Sequence, residues 1–316
     1  MNTALRCLEA IKMAHAGEKS GFPSETGSAH VPGRPVIGIY EKALPPGLGW
    51  PAMLRIAAGA GYDYVEMSVD ETEMRLGRLS WSRTQRAEFR SAVADSGLRV
   101  PSMCLSGHRK YPFGSADPAI REKARDIMSR AIDFAVDTGI RTIQLAGYDV
   151  YYEPSTPESL ARFKEGLAWA AGEADSKQVM LGMEIMDTPL MGSITKWLEY
   201  AKDIPSPWFQ VYPDLGNLSA WNDDVPSEIA KAKGRIAAVH CKDTLKPAPG
   251  FPGQFRDLPF GAGCVDFPKA FRALASIGYR GSFLVEMWTE KAADPVAEIL
   301  RAREWILARM REGGIA

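Results

Sequence analysis

The feature that most restricts the fold of this chain is an alternation of apolar strand segments with amphipathic helical segments from residue 35 onward. The hydrophobic pattern predicts strands at Pro35–Tyr40, Tyr64–Met67, Val100–Leu105, Thr142–Leu145, Met180–Ile185, Phe209–Pro213, Ile236–Cys241 and Ser282–Met287. Helices are predicted near residues 50–60, 82–96, 118–138, 156–175, 192–203, 224–233, 267–277 and 293–312. Eight such units over about 250 residues are what a closed (β/α)8 barrel requires.

Glycines mark the ends of several predicted helices. Gly61, Gly97, Gly139, Gly234 and Gly278 each lie just after a helical segment and just before a strand. A residue in this position often adopts a left-handed conformation, which strains residues other than glycine. A doubly wound open sheet would also alternate strands and helices, but its ligand groups gather at one switch point. Here charged residues follow strands spread along the chain, so we predict an α/β fold with a single-domain TIM barrel.

The first 34 residues differ from the rest of the sequence. Residues 17–33 are rich in glycine, serine, proline and charge, a composition that favours a mobile segment. We therefore predict a poorly ordered N-terminal extension over residues 1–34 and the barrel over residues 35–316. His15 and His30 fall in the extension, and neither is predicted to be a ligand.

Composition excludes several classes of partner. The 38 basic and 39 acidic residues leave a net charge of −1, so we expect neither nucleic acid nor a membrane surface as a partner. No apolar run approaches the roughly 20 residues that span a bilayer, and the N-terminus does not resemble a secretory signal. The four cysteines show no CxxC spacing, which favours reduced thiols in a cytoplasmic protein.

Four acid or imidazole residues follow the apolar runs of four separate predicted strands: Glu184, Asp214, His240 and Glu286. Charged groups at the ends of buried strands are costly to remove from water unless a partner pairs or coordinates them. Two glutamates, an aspartate and a histidine form an oxygen-rich donor set that suits a divalent metal ion. Because side chains alternate along a strand, Glu184, His240 and Glu286 are predicted to point into the barrel mouth, together with Lys242. This pattern indicates a metal-dependent enzyme.

Each of these residues also has a purely structural interpretation. Asp214 could cap the following turn, Leu215–Asn217, and His240 could be a satisfied core histidine. Glu66, within the second predicted strand, is as well explained by a salt bridge or a helix cap as by a site role. The occurrence of four such residues at the ends of separate strands favours a common site over four unrelated structural roles.

Eight segments of the sequence match a known family. They are Gly38–Pro45, Val65–Glu71, Val100–Ser106, Ile143–Tyr152, Met183–Asp187, Tyr212–Trp221, Val239–Thr244 and Val285–Trp288. On these segments the chain from Gly38 to its C-terminus resembles the L-ribulose-5-phosphate 3-epimerases, also called L-xylulose-5-phosphate 3-epimerases, of ascorbate and pentose catabolism. These enzymes belong to the xylose-isomerase-like barrel superfamily. The loop Leu245–Arg256 departs somewhat from the family pattern.

The resemblance implies a reaction and a set of roles. Glu184, Asp214, His240 and Glu286 would bind one divalent ion (Mn²⁺, Zn²⁺, Co²⁺ or Mg²⁺), as the matching residues do in related ketose 3-epimerases. Glu184 and Glu286 would also transfer the proton. One glutamate would remove the hydrogen at C3 of a 2-ketose phosphate, giving a metal-stabilised enediolate, and the other would return it on the opposite face.

Five residues are predicted to contact the substrate: Lys242, Asn217, Glu66, His108 and Arg109. The phosphate of a ketose phosphate needs cations or backbone amides. Barrel enzymes often bind phosphate near the loops after the seventh and eighth strands, where Lys242, Lys246, Arg256 and residues 259–263 lie. The alternative is the basic cluster His108–Lys110 after the third strand. The sequence does not choose between the two.

Several other functions fit parts of the pattern. An aldose–ketose isomerase or a polyol dehydratase would use the same barrel and metal. A DNA-repair endonuclease would need several histidines at the mouth and a basic face, whereas this chain has 4 histidines, two of them in the extension. A catalytically silent sugar-phosphate sensor would not need two opposed glutamates. No sequence pattern indicates the oligomeric state, and a homodimer formed through helices is one expectation.

Overall fold

The computed structural model describes residues 34–315, in which eight parallel strands alternate with helices. The strands are β1 Ile37–Tyr40, β2 Tyr64–Ser68, β3 Arg99–Leu105, β4 Thr142–Leu145, β5 Met180–Glu184, β6 Phe209–Tyr212, β7 Val239–Cys241 and β8 Phe283–Val285. The α-helices are α1 Trp50–Gly59, α2 Glu73–Leu76, α3 Arg83–Ser96, α4 Pro118–Thr138, α5 Pro157–Ser176, α6 Ile194–Ala201, α7 Leu215–Trp221, α8 Val225–Lys231, α9 Phe267–Ser276 and α10 Pro295–Glu312. The predicted extension lies outside the described residues, apart from Arg34.

The strands form a barrel whose ladder runs in the order β6-β5-β4-β3-β2-β1-β8-β7. Single parallel bridges, Val211 with Ile236 and Asp214 with His240, join β6 to the β7 side and complete the circle. The backbone N–H of Ala237 donates to the Val211 oxygen at 2.9 Å, and that of His240 donates to the Pro213 oxygen at 2.9 Å. The predicted (β/α)8 TIM barrel is confirmed. Isolated bridges join β6 to the β7 side, whereas the other neighbouring strands are joined by ladders.

Helices lie where the hydrophobic periodicity predicted them, and their ends have the expected chemistry. In α4 the side chain of Asp117 accepts from the Ala119 N–H at 2.8 Å, Pro118 fills the first turn, and Gly139 follows the last residue. All five glycines predicted at helix ends have positive φ angles, from 69° to 86°. None of the helices in residues 34–315 has the length and hydrophobicity needed to cross a membrane.

The structure contains two short α-helices that the sequence pattern does not predict. Helix α2 begins after Thr72, whose hydroxyl accepts from the Arg75 N–H, and α7 begins after Asp214, whose carboxylate accepts from the Asn217 N–H. Both begin at residue types that favour the N-cap position. Each helix is short, so hydrophobic periodicity gave no signal for it.

Alternate residues of the strands face the barrel interior and the helix layer. Met183, Cys241 and Val285 belong to the large core between strands and helices, as predicted. The rings of Tyr64 and Tyr212 cross the interior, and two glycines provide their space. A Cβ on Gly38 would lie 2.3 Å from the Tyr64 ring, and a Cβ on Gly182 would lie 2.9 Å from the Tyr212 ring. These glycines therefore allow aromatic rings to cross the narrow interior.

Candidate metal centre

Four side chains converge at the carboxyl end of the barrel. Glu184 ends β5, Asp214 follows β6, His240 lies within β7 and Glu286 follows β8. One ligand atom from each lies within 4.8 Å of the others, and all four residues are buried. We call these four residues the mouth cluster. The predicted convergence is confirmed by the geometry, since parallel strands bring their carboxyl ends to the same edge.

Asp214 has a structural role and a site role at the same time. Its Oδ1 atom accepts the backbone N–H of Asn217 at 2.7 Å and so caps α7. Its Oδ2 atom faces the centre of the mouth cluster, where its nearest cation is Lys242 Nζ at 3.2 Å. The capping interaction thus orients the carboxylate and leaves one oxygen available.

The imidazole of His240 presents its Nδ1 atom to the mouth cluster. Nδ1 lies 3.0 Å from Glu184 Oε1, 3.5 Å from Glu286 Oε2 and 3.9 Å from Asp214 Oδ2. Lys242 also enters the centre, with Nζ 3.1 Å from Glu286 Oε2 and 3.2 Å from Asp214 Oδ2. The predicted position of Lys242 on the mouth side is confirmed. Three carboxylates therefore share one ammonium and one imidazole in a space shielded from water.

Burial and crowding change the proton affinities of these groups. Burial, with repulsion from Glu286 and Glu184, raises the pKa of Asp214 to about 8, although Lys242 opposes the shift. Burial also raises the pKa of Glu184. For Glu286, the nearby Lys242 and His240 outweigh the effect of burial and hold the pKa well below its usual value. Two of the three carboxyls therefore hold protons more tightly than isolated carboxyls would, whereas Glu286 is kept ionised by its basic neighbours.

The donor set fits a divalent metal ion. Asp214 Oδ2 and Glu286 Oε2 are buried oxygens without a well-oriented hydrogen bond among the described residues, and the cation beside both is Lys242 Nζ, at 3.2 Å and 3.1 Å. Buried carboxylate oxygens need a cation or water, and these two face the centre where a metal ion could bind. Carboxylate oxygens with one imidazole suit several first-row divalent ions and magnesium. These four residues could hold such an ion without rearrangement of the strands that carry them.

Glu66 lies behind the mouth cluster and does not reach the cavity. It is 0% exposed, and its Oε1 atom lies 3.1 Å from His240 Nε2. Its Oε2 atom accepts the Ser102 hydroxyl at 2.7 Å and the Tyr212 hydroxyl at 3.0 Å. Protein groups therefore occupy both oxygens of Glu66, a residue that the sequence predicted to contact substrate.

A second residue supports the mouth cluster and was not predicted from the sequence. Gln144, on β4, is fully buried and donates from Nε2 to Glu184 Oε2. Its Oε1 atom has no partner among the described residues. A glutamine within the apolar run Thr142–Leu145 was the available signal, since a buried amide needs partners and commonly finds them at a site.

The other predicted substrate residues occupy different environments. Asn217 is buried beside the cluster, where Nδ2 donates to the Ile185 oxygen at 2.9 Å and Oδ1 has no partner in the described structure. His108 is a core residue, with Nε2 3.1 Å from the Ala124 oxygen and its ring packed on Phe113. These contacts place His108, which the sequence predicted to contact substrate, in the core.

Arg109 lies on the rim after β3. Its guanidinium lies over the rings of Tyr148 and Tyr151, at 5.7 Å and 4.8 Å from their centroids. No carboxylate in residues 34–315 lies within ion-pair distance of it. The Tyr148 hydroxyl donates to Asp187 at 2.6 Å, which fixes the aromatic platform. Substrate binding by Arg109 stays a prediction.

The glycine loop that was one predicted phosphate site is already occupied by an aspartate. The carboxylate of Asp243 accepts the N–H groups of Gly261 and Gly263 at 2.8 Å and 3.0 Å. Lys246 pairs with Asp223 at 2.8 Å. The amides of Gly261 and Gly263 are therefore not available to a phosphate. Arg256, another cation of the predicted phosphate site, stacks on the Trp288 ring at 4.3 Å.

A cavity of about 470 Å³ opens beside the mouth cluster. Its walls include Lys242, Glu286, Phe260, Trp288 and Trp305. The combination of aromatic walls with a few convergent charged groups is typical of small-molecule sites.

Comparison with known proteins agrees with the geometry. Residues 54–309 match the family described as xylose isomerase-like TIM barrel. SgbU of Escherichia coli is 59% identical over 278 residues, which cover 88% of this chain and 97% of SgbU. The L-ribulose-5-phosphate 3-epimerase UlaE of Salmonella typhimurium is 54% identical over 279 residues, covering 88% of this chain and 96% of UlaE. A solved L-ribulose 3-epimerase has a similar fold, with a TM-score of 0.71, 22% identity and coverage of 89% and 96%.

Proposed function

The chain belongs to the L-ribulose-5-phosphate 3-epimerases, isomerases of the xylose isomerase-like TIM-barrel family, and we propose that it interconverts L-ribulose 5-phosphate and L-xylulose 5-phosphate. The observation that carries this proposal is the pair of buried glutamates, Glu184 and Glu286, which approach the same imidazole from β5 and β8. Two carboxylates carried to one centre by separate strands suit a reaction that removes a proton from one face and returns it on the other.

The proposed inversion at C3 determines which groups the site must supply. Inversion at C3 of a 2-ketose begins with loss of the C3 hydrogen as a proton, and the electron pair passes to the neighbouring carbonyl oxygen. The mouth cluster would hold a divalent ion (Mn²⁺, Zn²⁺, Co²⁺ or Mg²⁺), which supplies Lewis-acid stabilisation of that negative charge. The proposal includes any of these four ions.

The chain's own groups complete the proposed reaction. One of Glu184 and Glu286 takes the proton and the other delivers one to the opposite face, and their roles exchange when the reaction reverses. Lys242, 3.1 Å from Glu286, would donate a hydrogen bond to a substrate oxygen, and the unpaired Oδ1 of Asn217 would accept one from a sugar hydroxyl. The aromatic walls of the cavity would limit access of water.

The test follows deuterium into the sugar. L-xylulose 5-phosphate is incubated in D₂O with the protein and Mn²⁺, the reaction is stopped with EDTA, and proton NMR of the sugar is recorded. We expect L-ribulose 5-phosphate with deuterium at C3, and no product when EDTA is present from the start. The unphosphorylated ketoses serve as matched substrates and should react more slowly.

Two results would contradict the proposal. Deuterium at C1 with formation of an aldose would identify an aldose–ketose isomerase on the same barrel. Absence of exchange at C3, in a protein shown by direct titration to bind Mn²⁺, would exclude 3-epimerisation of this substrate.

A further inference from the structure

The environment of Glu66 is unusual for a buried carboxylate. It has no exposed surface, and no lysine or arginine in residues 34–315 lies within 4.0 Å of it. Its three partners are two hydroxyls and the His240 ring. A carboxylate placed without a strong cation in a dry interior is costly, so a packing role alone would be better served by an apolar residue.

The two nitrogens of the His240 ring face different carboxylates. Nδ1 points into the mouth cluster, 3.0 Å from Glu184 Oε1, and Nε2 points away from it, 3.1 Å from Glu66 Oε1. A neutral imidazole has one lone pair available for a metal, and the other nitrogen must then carry the proton. If Nδ1 is the ligand atom, Nε2–H is left to donate to Glu66.

We infer that Glu66 is a positioning residue, which holds the His240 ring in the tautomer that leaves Nδ1 free for the metal. The inference rests on the proposed metal site. A carboxylate that accepts a hydrogen bond from the second nitrogen of a ligating histidine fixes the ring and makes it a better ligand. Glu66 therefore acts on the metal through His240 and contacts neither metal nor substrate itself.

Other residues hold Glu66 in the required orientation. The hydroxyls of Ser102 and Tyr212 both donate to Oε2, which leaves Oε1 for His240. The Tyr212 ring also packs edge-on against the His240 ring, with centroids 4.5 Å apart. Gly182 provides the space for Tyr212, since a Cβ there would lie 2.9 Å from its ring. Strands β2, β3, β5 and β6 thus contribute to the position of one ligand on β7.

The experiment measures metal affinity and the His240 tautomer, independently of turnover. Wild-type protein, Glu66→Gln and the control Asp63→Asn are freed of metal and titrated with Zn²⁺ against a chromogenic chelator. Asp63 is a matched control because it is buried, precedes β2 at the opposite end of the barrel, and accepts the Ile37 N–H at 2.8 Å. The ¹⁵N spectra of histidine-labelled, Zn²⁺-loaded samples report which ring nitrogen carries hydrogen, and His108 in the core is an internal reference.

We expect Glu66→Gln to weaken Zn²⁺ binding about 10- to 100-fold, while Asp63→Asn changes it less than about 3-fold. In the wild-type spectrum His240 should carry its proton on Nε2, and in Glu66→Gln the Nε2–H signal should shift or mix with the other tautomer. Wild-type affinity together with an unchanged His240 spectrum in Glu66→Gln would overturn the inference. Absence of Zn²⁺ binding by the wild type would instead overturn the metal site of the proposed function.

Two gentler variants keep the inference testable if Glu66→Gln does not fold. Ser102→Ala and Tyr212→Phe each remove one hydrogen bond to Glu66 and retain its carboxylate. Each should weaken Zn²⁺ binding by a smaller factor and perturb the His240 signal but not the His108 signal. Unchanged affinity and an unchanged His240 signal in both variants would count against the inference.

Discussion

The charged residues at the centre of this barrel can be buried at a low cost in free energy only when they lie together. Glu66, Glu184, Asp214 and Glu286 are all buried, with Lys242 and His240 as their basic partners. A shift of one pKa unit corresponds to about 1.4 kcal/mol between protonation states. The pKa of about 8 for Asp214 therefore represents a substantial electrostatic cost. A divalent cation would remove that cost, so at the scale of single residues the arrangement favours metal binding over a purely structural cluster.

The two glutamates should have separable roles. Because each is proposed to act on one face of C3, Glu184→Gln and Glu286→Gln should each abolish inversion, lowering kcat at least about 100-fold. Each variant should still exchange the C3 hydrogen of one epimer with solvent, and the two variants should differ in which epimer that is. Deuterium incorporation into each pure epimer measures this, with metal content determined in the same samples. Identical exchange patterns in the two variants would contradict a two-base mechanism.

His108 should make stability depend on pH. Burial lowers the pKa of its imidazole to about 4, below the ordinary value of 6.5, although the Ala124 carbonyl opposes the shift. The unfolded chain then binds more protons than the folded chain between these values, so stability is retained above pH 6.5 and falls as pH decreases toward 4. The full difference corresponds to about 3 kcal/mol.

Urea unfolding at several pH values tests this dependence. His108→Gln keeps a donor for the Ala124 carbonyl but does not titrate, so it should lose less stability than the wild type between pH 6.5 and 4. Parallel pH curves for the two proteins would show that His108 contributes nothing to the acid sensitivity.

At the scale of strands and loops, small residues determine what the barrel interior can contain. Gly38 on β1 faces the Tyr64 ring, and the Tyr64 hydroxyl donates to the Phe283 carbonyl at 3.0 Å. A single tyrosine thus spans from β2 to β8 across β1. The three-strand contact depends on the absence of a side chain at position 38.

Gly38→Ala should be destabilising, since its Cβ would lie 2.3 Å from the Tyr64 ring. Overpacking of this kind costs about 1 to 3 kcal/mol. Gly172→Ala is the control, because this exposed position in α5 has no atom within 4 Å of a new Cβ. The control should gain up to about 1 kcal/mol from helix propensity. Urea midpoints measure both, and equal midpoints would show that the interior yields to the added methyl group.

Asp243 organises the loop that follows β7. Its carboxylate accepts four backbone N–H groups, those of Thr244, Gly261, Gly263 and Val265. Asp243→Ala would leave these donors without their acceptor and should cost about 1 to 3 kcal/mol. Amide hydrogen exchange should also accelerate at Gly261 and Gly263. The exposed Asp223→Ala is the control and should change stability by less than about 0.5 kcal/mol.

In the barrel as a whole, the mouth cluster lies at the junction between β6 and the β7 side, where backbone pairing is sparsest. Asp214 and His240 form one of the two isolated bridges that join β6 to the β7 side. The ladder there consists of isolated bridges, whereas β4, β5 and β6 pair continuously. A cation bound by residues on both sides of the junction would also connect the two edges of the sheet.

Metal binding should therefore stabilise the whole barrel and its junction in particular. At a free Mn²⁺ concentration of 100 times Kd, the free energy of unfolding should rise by about 2.7 kcal/mol. Exchange of the Ala237 and His240 amides should slow more than that of amides in α4. Asp214→Asn keeps an N-cap acceptor for α7 but loses the charge, so it should gain much less from Mn²⁺. An equal gain in this variant would contradict metal binding by Asp214.

The sequence by itself determined the barrel and the members of the mouth cluster. Strand and helix periodicity is a local pattern, and parallel strands always bring their carboxyl ends to one edge. Four charged residues after four strands were therefore enough to predict their convergence. The five helix-end glycines were predictable for the same reason, because a left-handed cap depends only on the neighbouring turn.

Only the tertiary structure decided which polar residues face the cavity and which support them. Glu66 and His240 are 174 positions apart, and their contact depends on how the interior packs across the barrel. Asp243 captures the amides of the glycine loop, and the His108 ring enters the core beside Phe113. Hydrogen-bond partners between distant strands follow from side-chain volume and rotamer in three dimensions, which no local pattern encodes.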